Sequence, residues 1–311
     1  AWREEDAAGP AGEAAAILKA AGRDAGKLPP AAAGTVVSRP DRAGFEKAVQ
    51  RTVLRIHRGE ICQVNLCRRL EAELPPAAIW PFYRRLREVS PAEYGVFFDL
   101  GRGRAVMSVS PELFLRLRDG VAESRPIKGT RPRGANPAAD EALARDLTGS
   151  VKDGAELAMI VDVVRNDLGR ICAAGSVQVV RHAELVTLPT LHHTVSTVRG
   201  RLRPGQGVSE LLRAAFPAAS ITGAPKIQAM DIAGIEEERR RGPAMGAHGW
   251  ISLTGELELA VSIRTAAAAR GRVAYHAGCG IVADSRPEDE SAESAVKARA
   301  FLRALGAVEE P

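Results

Sequence analysis

The chain has 311 residues, of which 45% are hydrophobic and 26% charged, with a formal net charge of +5. This composition is typical of a globular protein and excludes a disordered or fibrous chain. Its 43 basic and 38 acidic side chains are spread along the sequence, and aromatic residues make up only 4%. Nucleic-acid binders usually cluster basic residues and add exposed aromatics for stacking, so we expect no nucleic-acid partner.

Neither a membrane span nor a disulfide framework is indicated. No apolar run approaches the ~20 residues that a membrane helix needs, so we expect no membrane partner. The cysteines Cys62, Cys67, Cys172 and Cys279 include no CxxC pair and have no histidine at zinc-finger spacing. We interpret them as buried free thiols, which favours a reducing, cytoplasmic location.

The chain divides into a short leading segment and one compact domain. Residues 1–40 are rich in Ala, Gly and Pro, with a short helix predicted near residues 14–21 and a linker through Pro29 and Pro30. We place the compact domain at residues 41–311. No repeat of 20 to 50 residues is visible.

The periodicity of the domain predicts helices and antiparallel strands. Apolar residues at helical spacing between Asp41, a plausible cap, and Gly59, a plausible stop, predict the first helix. The other predicted helices cover residues 79–89, 140–168, 224–239 and 288–305. Strands are predicted at residues 61–74, 94–100, 105–110, 113–120, 177–180 and 193–203, with a hairpin-rich block at 248–278. Hairpins interrupted by long helices predict an antiparallel α+β fold.

The segment SRPIKGTRPRG, residues 124–134, is interpreted as a loop that fixes one lysine in place. Lys128 lies between Pro-Ile, which stiffens the backbone, and Gly-Thr, which frees it. A Walker phosphate loop is excluded, because there the glycine precedes the lysine and here it follows.

Two predicted helices each carry a pair of carboxylates three residues apart. Asp153 and Glu156 share one helix face, and Glu290 and Glu293 share another. If the two faces met, their oxygens would suit Mg²⁺. Spacing alone favours the simpler alternative of solvated helix faces, with Glu293 and Lys297 as an exposed i,i+4 pair.

Several single residues are candidates of the same kind. Glu112 follows a proline at the start of a strand, where a turn carboxylate is the simpler interpretation. His192 and His193 are neighbours in a strand-like run and therefore point to opposite faces, so one is a candidate for the site and structural roles for both are equally consistent. Arg264 lies in the apolar run AVSIRTA, where a buried guanidinium needs an anion.

The glycines of AGCGIVADS are the last such feature. Gly278 and Gly280 would let backbone N–H groups approach a carboxylate, although a tight turn explains them too.

Taken in order, these motifs resemble those of the chorismate-utilising enzymes, over roughly residues 45–305. The motifs are SPELFL, PIKGT, ELAMIVDVVRNDLGRI, HHTVST, SITGAPK, SIRT, AGCGIVADS and the final ExxE helix. Within that family they look most similar to the large components of aminodeoxychorismate synthase. The resemblance implies a four-layer α/β/β/α sandwich of antiparallel sheets flanked by helices, with the N-terminal part shortened here.

The resemblance also implies how chorismate and a metal are bound. Glu156 and Glu293 match the Mg²⁺ ligands of the family, with Asp153 and Glu290 supporting through water. Arg264 matches the contact to the enolpyruvyl carboxylate. The other implied substrate contacts are Gly278, Gly280 and Lys297 at the ring carboxylate, with Thr130, Thr222 and Gln63.

The catalytic groups follow from the same resemblance. Glu112 matches the general acid that protonates the leaving hydroxyl at ring carbon 4, and His193 would lie near that hydroxyl. Lys128 matches a nucleophile that attacks carbon 2, after which ammonia enters at carbon 4. Anthranilate synthases carry alanine at this position, and relatives that add water carry a lysine base where Gln63 stands, so ammonia is the expected nucleophile.

The expected product is 4-amino-4-deoxychorismate, a precursor of para-aminobenzoate and folate. No Cys-His-Glu glutaminase pattern is visible, so a partner glutamine amidotransferase is expected to supply ammonia. One alternative is an anthranilate synthase large component, which Lys128 argues against. Another is a non-catalytic chorismate-binding or scaffold protein, which the short N-terminal part makes conceivable.

Overall fold

The computed structural model describes residues 35–188 and 191–309 of the chain. Within these ranges, short 3-10 turns at Pro76–Ala78 and Ala219–Ile221 accompany seven α-helices. The helices are α1 (Arg42–His57), α2 (Ile79–Val89), α3 (Pro137–Gly149), α4 (Val151–Gly169), α5 (Val208–Ala215), α6 (Lys226–Glu236) and α7 (Pro287–Leu305). The short helix predicted near residues 14–21 lies outside the described residues.

The described strands form two seven-stranded sheets in which every pairing is antiparallel. They are β1 (Val37–Arg39), β2 (Gln63–Glu73), β3 (Tyr94–Asp99), β4 (Ala105–Ser110), β5 (Leu113–Arg118), β6 (Val121–Arg125), β7 (Ile127–Pro132), β8 (Gln178–Thr187), β9 (Leu191–Arg201), β10 (Gly223–Ala224), β11 (Ala247–Ile251), β12 (Leu257–Val261), β13 (Thr265–Ala269) and β14 (Arg272–Ile281). The predicted antiparallel α+β class is therefore confirmed.

The first sheet has the order β1-β2-β14-β13-β4-β3, and β10 adds to β2 beside β1. The second has the order β11-β12-β5-β6-β9-β7, and β8 pairs with the other side of β9. Strands β6 and β7 follow one another along the same side of β9, so residues 121–132 act as one long, bent strand.

Helices cover the sheets because each sheet presents apolar side chains to them. Leu157 and Ile160 of α4 and Leu211 of α5 pack in one buried cluster with residues of the second sheet. Helices α2 and α7 pack on the first sheet in a second cluster, and α1 and α6 pack on β2 and β14 in a third. The order helix, sheet, sheet, helix is the four-layer sandwich that the resemblance implies.

The chain crosses between the two sheets at two adjacent places. Pro111 and Glu112 connect β4 of the first sheet to β5 of the second, and residues 262–264 connect β12 back to β13. The Val261 amide donates to the Glu112 carbonyl at 3.0 Å, and the Val109 amide donates to the Arg264 carbonyl at 3.2 Å. The two crossings are thus held together by backbone hydrogen bonds.

Some sequence predictions need correction. The segment 124–134 is not a loop, because β6 and β7 pair with β9, about 65 residues further along the chain. The predicted helix 140–168 is two helices, since Ser150 ends α3 and its side chain caps α4 by accepting from the Asp153 amide at 3.2 Å. Helix α6 begins only after β10 and ends at Glu236.

The predicted division after residue 40 falls just beyond strand β1. This strand pairs with β2, so residues 37–39 belong to the first sheet. Most of the predicted leading segment, residues 1–40, lies outside the described residues. Among the helices that the structure describes, none has the length and apolarity needed to cross a bilayer.

Candidate active site

Gly280 of β14 marks the point at which the two sheets meet. A Cβ at this position would lie 2.2 Å from Nε2 of Gln63 and 3.2 Å from Nζ of Lys128. Gln63 belongs to β2 of the first sheet, and Lys128 belongs to β7 of the second. The predicted nucleophile and the predicted ammonia-site amide are therefore neighbours, and a side chain at position 280 would have to push their ends aside.

A bulge in β7 sets the position of Lys128. The register between β7 and β9 shifts between Lys128 and Thr130, with Gly129 as the extra residue at φ +72°. A Cβ at Gly129 would lie 2.7 Å from Leu147 of α3, so glycine is required by space as well as by conformation. The Thr194 hydroxyl donates to the Lys128 carbonyl, and Lys128 Nζ lies 3.7 Å from Glu156 Oε2.

Glu112 is a buried carboxyl at the first sheet crossing. Glu112 is only 5% exposed. Burial raises the pKa of Glu112 to about 7, although the Ser220 hydroxyl, the Lys128 ammonium and the Ile127 amide oppose the shift. Glu112 therefore holds a proton near neutral pH and lies within electrostatic reach of Lys128, as a general acid for this site would.

His193 of β9 faces the same site as a neutral imidazole. Its Nδ1 lies 3.2 Å from the Gly129 carbonyl and 2.9 Å from Thr130 Oγ1. Because a carbonyl only accepts, Nδ1 carries the hydrogen and Nε2 is left as an acceptor. Burial lowers the pKa of His193 to about 4, although the hydrogen bond to the Gly129 carbonyl opposes that shift. His193 also lines a cavity of about 430 Å³.

His192 points to the opposite face, as strand alternation predicts. Its Nε2 lies 3.0 Å from Asp140 of α3, and its Nδ1 lies 2.9 Å from Thr187 Oγ1 of β8. It therefore fastens α3 to the second sheet. Of the two adjacent histidines, only His193 contacts the candidate site.

The two predicted threonines differ in their availability. Thr130 holds His193 and lies beside Lys128 on β7. Thr222 is 3% exposed, and its hydroxyl donates to the carbonyls of Ala218 at 3.0 Å and Ala219 at 3.4 Å. The Thr222 hydroxyl therefore closes a local turn, and a substrate contact would require it to leave that turn.

Four carboxylates gather where the N-terminal ends of α4 and α7 approach each other. Lys152 Nζ lies 3.7 Å from Glu290 Oε1, which links the two helices. Burial lowers the pKa of Lys152, but four neighbouring carboxylates outweigh burial and raise it. We call these the carboxylate cluster, and its members are Asp153, Glu156, Glu290 and Glu293. The two helix faces therefore approach each other, as the resemblance implies, although spacing alone favoured separate solvated faces.

The carboxylate cluster suits a divalent cation. Glu290 is 2% exposed, and its Oε1 accepts from Ser285 Oγ at 2.7 Å. Burial, opposed by the Ser285 hydroxyl, raises the pKa of Glu290, and the nearby Glu293 carboxylate adds to the increase. Carboxylate oxygens fit the hard-cation chemistry of Mg²⁺. Among the described residues, however, only Cys279, Glu290 and Glu293 bring ligand atoms within 4.8 Å of one another, so Glu156 and Asp153 would have to move inward to share a cation. Asp153 is the least available, because its Oδ2 lies 3.2 Å from Arg131 Nη2.

Four buried polar atoms of site residues have no hydrogen-bond partner among the described residues. They are Gln63 Oε1, His193 Nε2, Ser220 Oγ and Glu290 Oε2. Buried polar atoms in folded proteins are nearly always paired. Unpaired atoms on several site residues therefore indicate a site built for a polar ligand.

Arg264 offers a guanidinium at the second sheet crossing. The sequence predicted a strand at Arg264. The residue lies instead in the connection between β12 and β13, with φ +49°. Its recorded hydrogen bond is from Nη1 to Ser90 Oγ at 3.5 Å, and no carboxylate of the described residues lies within salt-bridge distance. Burial lowers the pKa of Arg264. An anionic ligand would supply the partner that Arg264 lacks.

Gly278 and Lys297 are already engaged with each other. Lys297 Nζ donates to the Gly278 carbonyl at 2.9 Å and lies 2.8 Å from Glu293 Oε1. Burial would lower the pKa of Lys297, but the Glu293 carboxylate outweighs burial and raises it. Lys297 is therefore a cation at the predicted ring-carboxylate position, with both its partners inside the site.

Lys152 and Ser220 are site residues that sequence reasoning missed. Lys152 lies four residues before Glu156 on α4 and therefore on the same face, so the i,i+4 spacing would have identified it. Ser220 begins the motif SITGAPK, from which no role for its hydroxyl was predicted. Its place beside Glu112 follows from tertiary packing, which no local signal reveals.

Comparisons with known proteins identify the family of the chain. A family model described as chorismate binding enzyme matches residues 6–303. The aminodeoxychorismate synthase of Streptomyces griseus is 46% identical over 94% of this chain and 41% of its own length. The anthranilate synthase component 1 of Streptomyces coelicolor is 41% identical over 85% of this chain and 51% of its own length. The chain spans about half the length of these curated relatives.

A solved structure shares the fold. The anthranilate synthase component I of Streptococcus pneumoniae matches with a TM-score of 0.81 and 32% identity, over 96% of this chain and 66% of that one. The α/β/β/α sandwich described above is therefore found in an experimentally determined relative.

Proposed function

Because the chain belongs to the chorismate binding enzyme family, we propose that it converts chorismate and ammonia to 4-amino-4-deoxychorismate. The observation that carries this proposal is the Lys128 amine, which lies inside the site beside Gln63 and Gly280. Lys128 stands where the resemblance implies alanine in anthranilate synthases. An amine at this place supplies a nucleophile that alanine cannot supply.

Chorismate is a dianion, and the site offers cations for both carboxylates. Arg264 has no carboxylate partner among the described residues and suits the enolpyruvyl group. Lys297, close to Gly278, suits the ring carboxylate. Mg²⁺ held by Glu156 and Glu293, with Asp153 and Glu290 supporting, would neutralise charge on the ring carboxylate.

The first step forms a bond between Lys128 Nζ and ring carbon 2. After the Lys128 ammonium has released its proton to solvent, the neutral amine attacks carbon 2, the two ring double bonds shift, and the hydroxyl at carbon 4 leaves. Glu112 donates its proton to that hydroxyl, which departs as water, and the raised pKa of about 7 keeps the proton available for this task. His193 Nε2, an acceptor without a partner, suits the hydrogen of the same hydroxyl.

The second step replaces lysine by ammonia. Ammonia attacks carbon 4, the double bond shifts back, and the bond between carbon 2 and Lys128 breaks. The Glu112 carboxylate takes a proton from the incoming nitrogen and is restored as an acid. Gln63 Oε1, a buried acceptor without a partner, suits an N–H of the ammonia, whereas an amide cannot deprotonate water.

The product would serve para-aminobenzoate and folate formation, and ammonia would come from a glutamine amidotransferase partner. One relative reported above is named component 1, wording that implies a second component for that protein. A second candidate function is that of an anthranilate synthase large component, which the 41% identity to that relative favours.

A product assay tests the proposal. The protein is incubated with chorismate, Mg²⁺ and an ammonium salt, and the products are separated by chromatography. We expect 4-amino-4-deoxychorismate from the wild type and none from Lys128→Ala, in which chorismate binding survives. Lys47→Ala, on the exposed side of α1, is the matched control and should retain full turnover.

The covalent step has its own readout. Without ammonia, intact-mass measurement of the wild type with chorismate and Mg²⁺ should show a gain of one chorismate less one water, absent from Lys128→Ala. Unchanged 4-amination by Lys128→Ala would refute the nucleophile. Anthranilate as the product would favour the second candidate, and intact chorismate would favour a binding or scaffold role.

A further inference from the structure

Cys279 lies beside two members of the carboxylate cluster and has no part in the reaction proposed above. Its Sγ and one carboxylate oxygen each of Glu290 and Glu293 all lie within 4.8 Å of one another. Cys279 is near the C-terminal end of β14, and the two glutamates are one turn apart at the start of α7. The three side chains thus meet between a strand and the helix that covers it.

The Glu290 carboxylate carries the second observation. Its Oε1 is held by Ser285, whereas its Oε2 is buried without a hydrogen-bond partner among the described residues. A buried carboxylate oxygen left unpaired is costly. The unpaired oxygen belongs to the residue that stands next to the thiol, so it indicates a missing ligand at this place.

The donor set differs from that of the Mg²⁺ site. Mg²⁺ takes oxygen ligands and would be held across α4 and α7 through Glu156 and Glu293. A thiolate is a soft ligand that favours Zn²⁺ and similar cations, and zinc sites commonly combine sulfur with carboxylate oxygens. Cys279, Glu290 and Glu293 supply three ligands and leave a fourth position for water.

The spacing is close to what such a cation needs. With Zn–S near 2.3 Å and Zn–O near 2.0 Å, tetrahedral ligand atoms lie about 3.5 Å apart. The three ligand atoms, which lie within 4.8 Å of one another, therefore have to come closer by about an ångström. Glu293 can provide this movement, since its side chain is 47% exposed. Glu293 must first break its ion pair with Lys297, and Lys152 must move away from Glu290. Both lysines therefore oppose binding of the cation.

We propose that Cys279, Glu290 and Glu293 form a binding site for a thiophilic divalent cation such as Zn²⁺. As the metal–sulfur bond forms, the thiol gives up its hydrogen bond to the Glu290 carbonyl, 3.1 Å away, and releases its proton to solvent. The site shares Glu293 with the Mg²⁺ site, so the two cations compete, and a zinc ion bound here would inhibit the enzyme. The cation site itself does not depend on the proposed function, whereas the inhibition rests on it.

A metal titration tests the site directly. The protein is freed of metal with a chelator and titrated with Co²⁺ alone, and thiolate-to-metal charge-transfer absorption is recorded. We expect one equivalent of this absorption in the wild type and in Cys62→Ala, which removes an exposed cysteine. We expect none in Cys279→Ala, nor in Cys279→Ser, which keeps the volume of the buried side chain. Absorption that is missing in the wild type, or that persists in both Cys279 variants, would overturn the proposal.

Affinities provide a second measurement. Zn²⁺ binding, measured by competition with a chromophoric chelator, should weaken by about tenfold or more in Cys279→Ser. Mg²⁺ binding, measured by calorimetry, should change by less than about twofold in the same variant. Equal weakening of Zn²⁺ and Mg²⁺ binding would mean that the substitution disturbs α7 as a whole. Unchanged Zn²⁺ affinity would mean that the thiol is not a ligand. Either result contradicts the proposed site.

Discussion

Single residues show how burial sets the chemistry of the site. Glu112 and His193 are both buried, and burial favours the neutral form of each. The pKa of Glu112 rises to about 7, so about half of this carboxyl is protonated at pH 7, whereas the pKa of His193 falls to about 4, so its imidazole is neutral. The identities of both residues were recognised from their motifs. Their protonation was only an expectation, because burial depends on the packing of residues far apart in the chain.

The raised pKa of Glu112 makes stability depend on pH. The pKa is about 7 in the folded protein, against an ordinary 4.5, so the folded state binds the proton more tightly. Between these two values the free energy of unfolding therefore falls as pH rises. Glutamine stays neutral at every pH. Glu112→Gln should therefore be more stable than the wild type near pH 8.5, by on the order of 3 kcal/mol. Near pH 4.5 the two proteins should have nearly equal free energies of unfolding. Urea unfolding at both pH values measures this difference.

The same substitution removes the proposed acid, so 4-amination should be lost as stability rises. Glu141→Gln, at an exposed site on α3, is the control and should change stability by less than about 0.5 kcal/mol at either pH. A stability difference that is the same near pH 4.5 and near pH 8.5 would show that Glu112 is ionised in the folded protein.

At the scale of elements, local signals were reliable where the structure itself is local. Helix α1 starts at the Asp41 cap, whose side chain accepts from the Gly44 amide at 2.7 Å, and stops before Gly59 at φ +76°. Strand β7 was missed because its pairing with β9 is remote in sequence. The break at Ser150 was readable, since a serine three residues before Asp153 is a helix-start signal.

Two glycines of β14 should respond differently to the same substitution. A Cβ at Gly278 would lie 1.9 Å from the Leu66 carbonyl oxygen, which is backbone and cannot move without parting β2 from β14. Gly278→Ala should therefore cost about 3 kcal/mol or more, or prevent folding. A Cβ at Gly280 meets only the ends of Gln63 and Lys128, so Gly280→Ala should fold with a cost of about 1 kcal/mol.

Activity distinguishes the pair further. The Gly280→Ala methyl group displaces the Gln63 amide, 2.2 Å away, and crowds the Lys128 amine at 3.2 Å, so we expect turnover to fall about a hundredfold although the protein remains folded. Thermal unfolding and the product assay measure the two effects separately. Full turnover in Gly280→Ala would mean that the reaction does not take place beside Gly280.

At the scale of the whole molecule, the site exists because the chain changes sheets twice. Glu112 lies at one crossing and Arg264 at the other, and hydrogen bonds join the crossings. Ordered motifs predicted which residues belong to the site, whereas their unpaired atoms, the Lys152 bridge and the left-handed backbone of Arg264 could be found only in three dimensions. Those features arise from contacts between sheets and helices that no local pattern encodes.

Metal binding should stabilise the whole fold, because the carboxylate cluster belongs to two helices on different layers. Mg²⁺ at about 100 times its Kd should raise the free energy of unfolding by about 2.7 kcal/mol. Thermal unfolding with Mg²⁺ and with a chelator measures the increase. It should disappear in Glu156→Gln and persist in Glu141→Gln, and an equal increase in both variants would place the metal elsewhere.

The bulged strand β7 also bears on how such enzymes diverge. Its backbone at Lys128 is held by pairing with β9, by the Thr194 hydroxyl and by Gly129. None of these contacts uses the lysine side chain, so replacing that side chain leaves the scaffold intact. If Lys128 acts as proposed, a lineage could exchange one ring position for another as the target of amination by a single codon change, with almost no penalty in folding on the way.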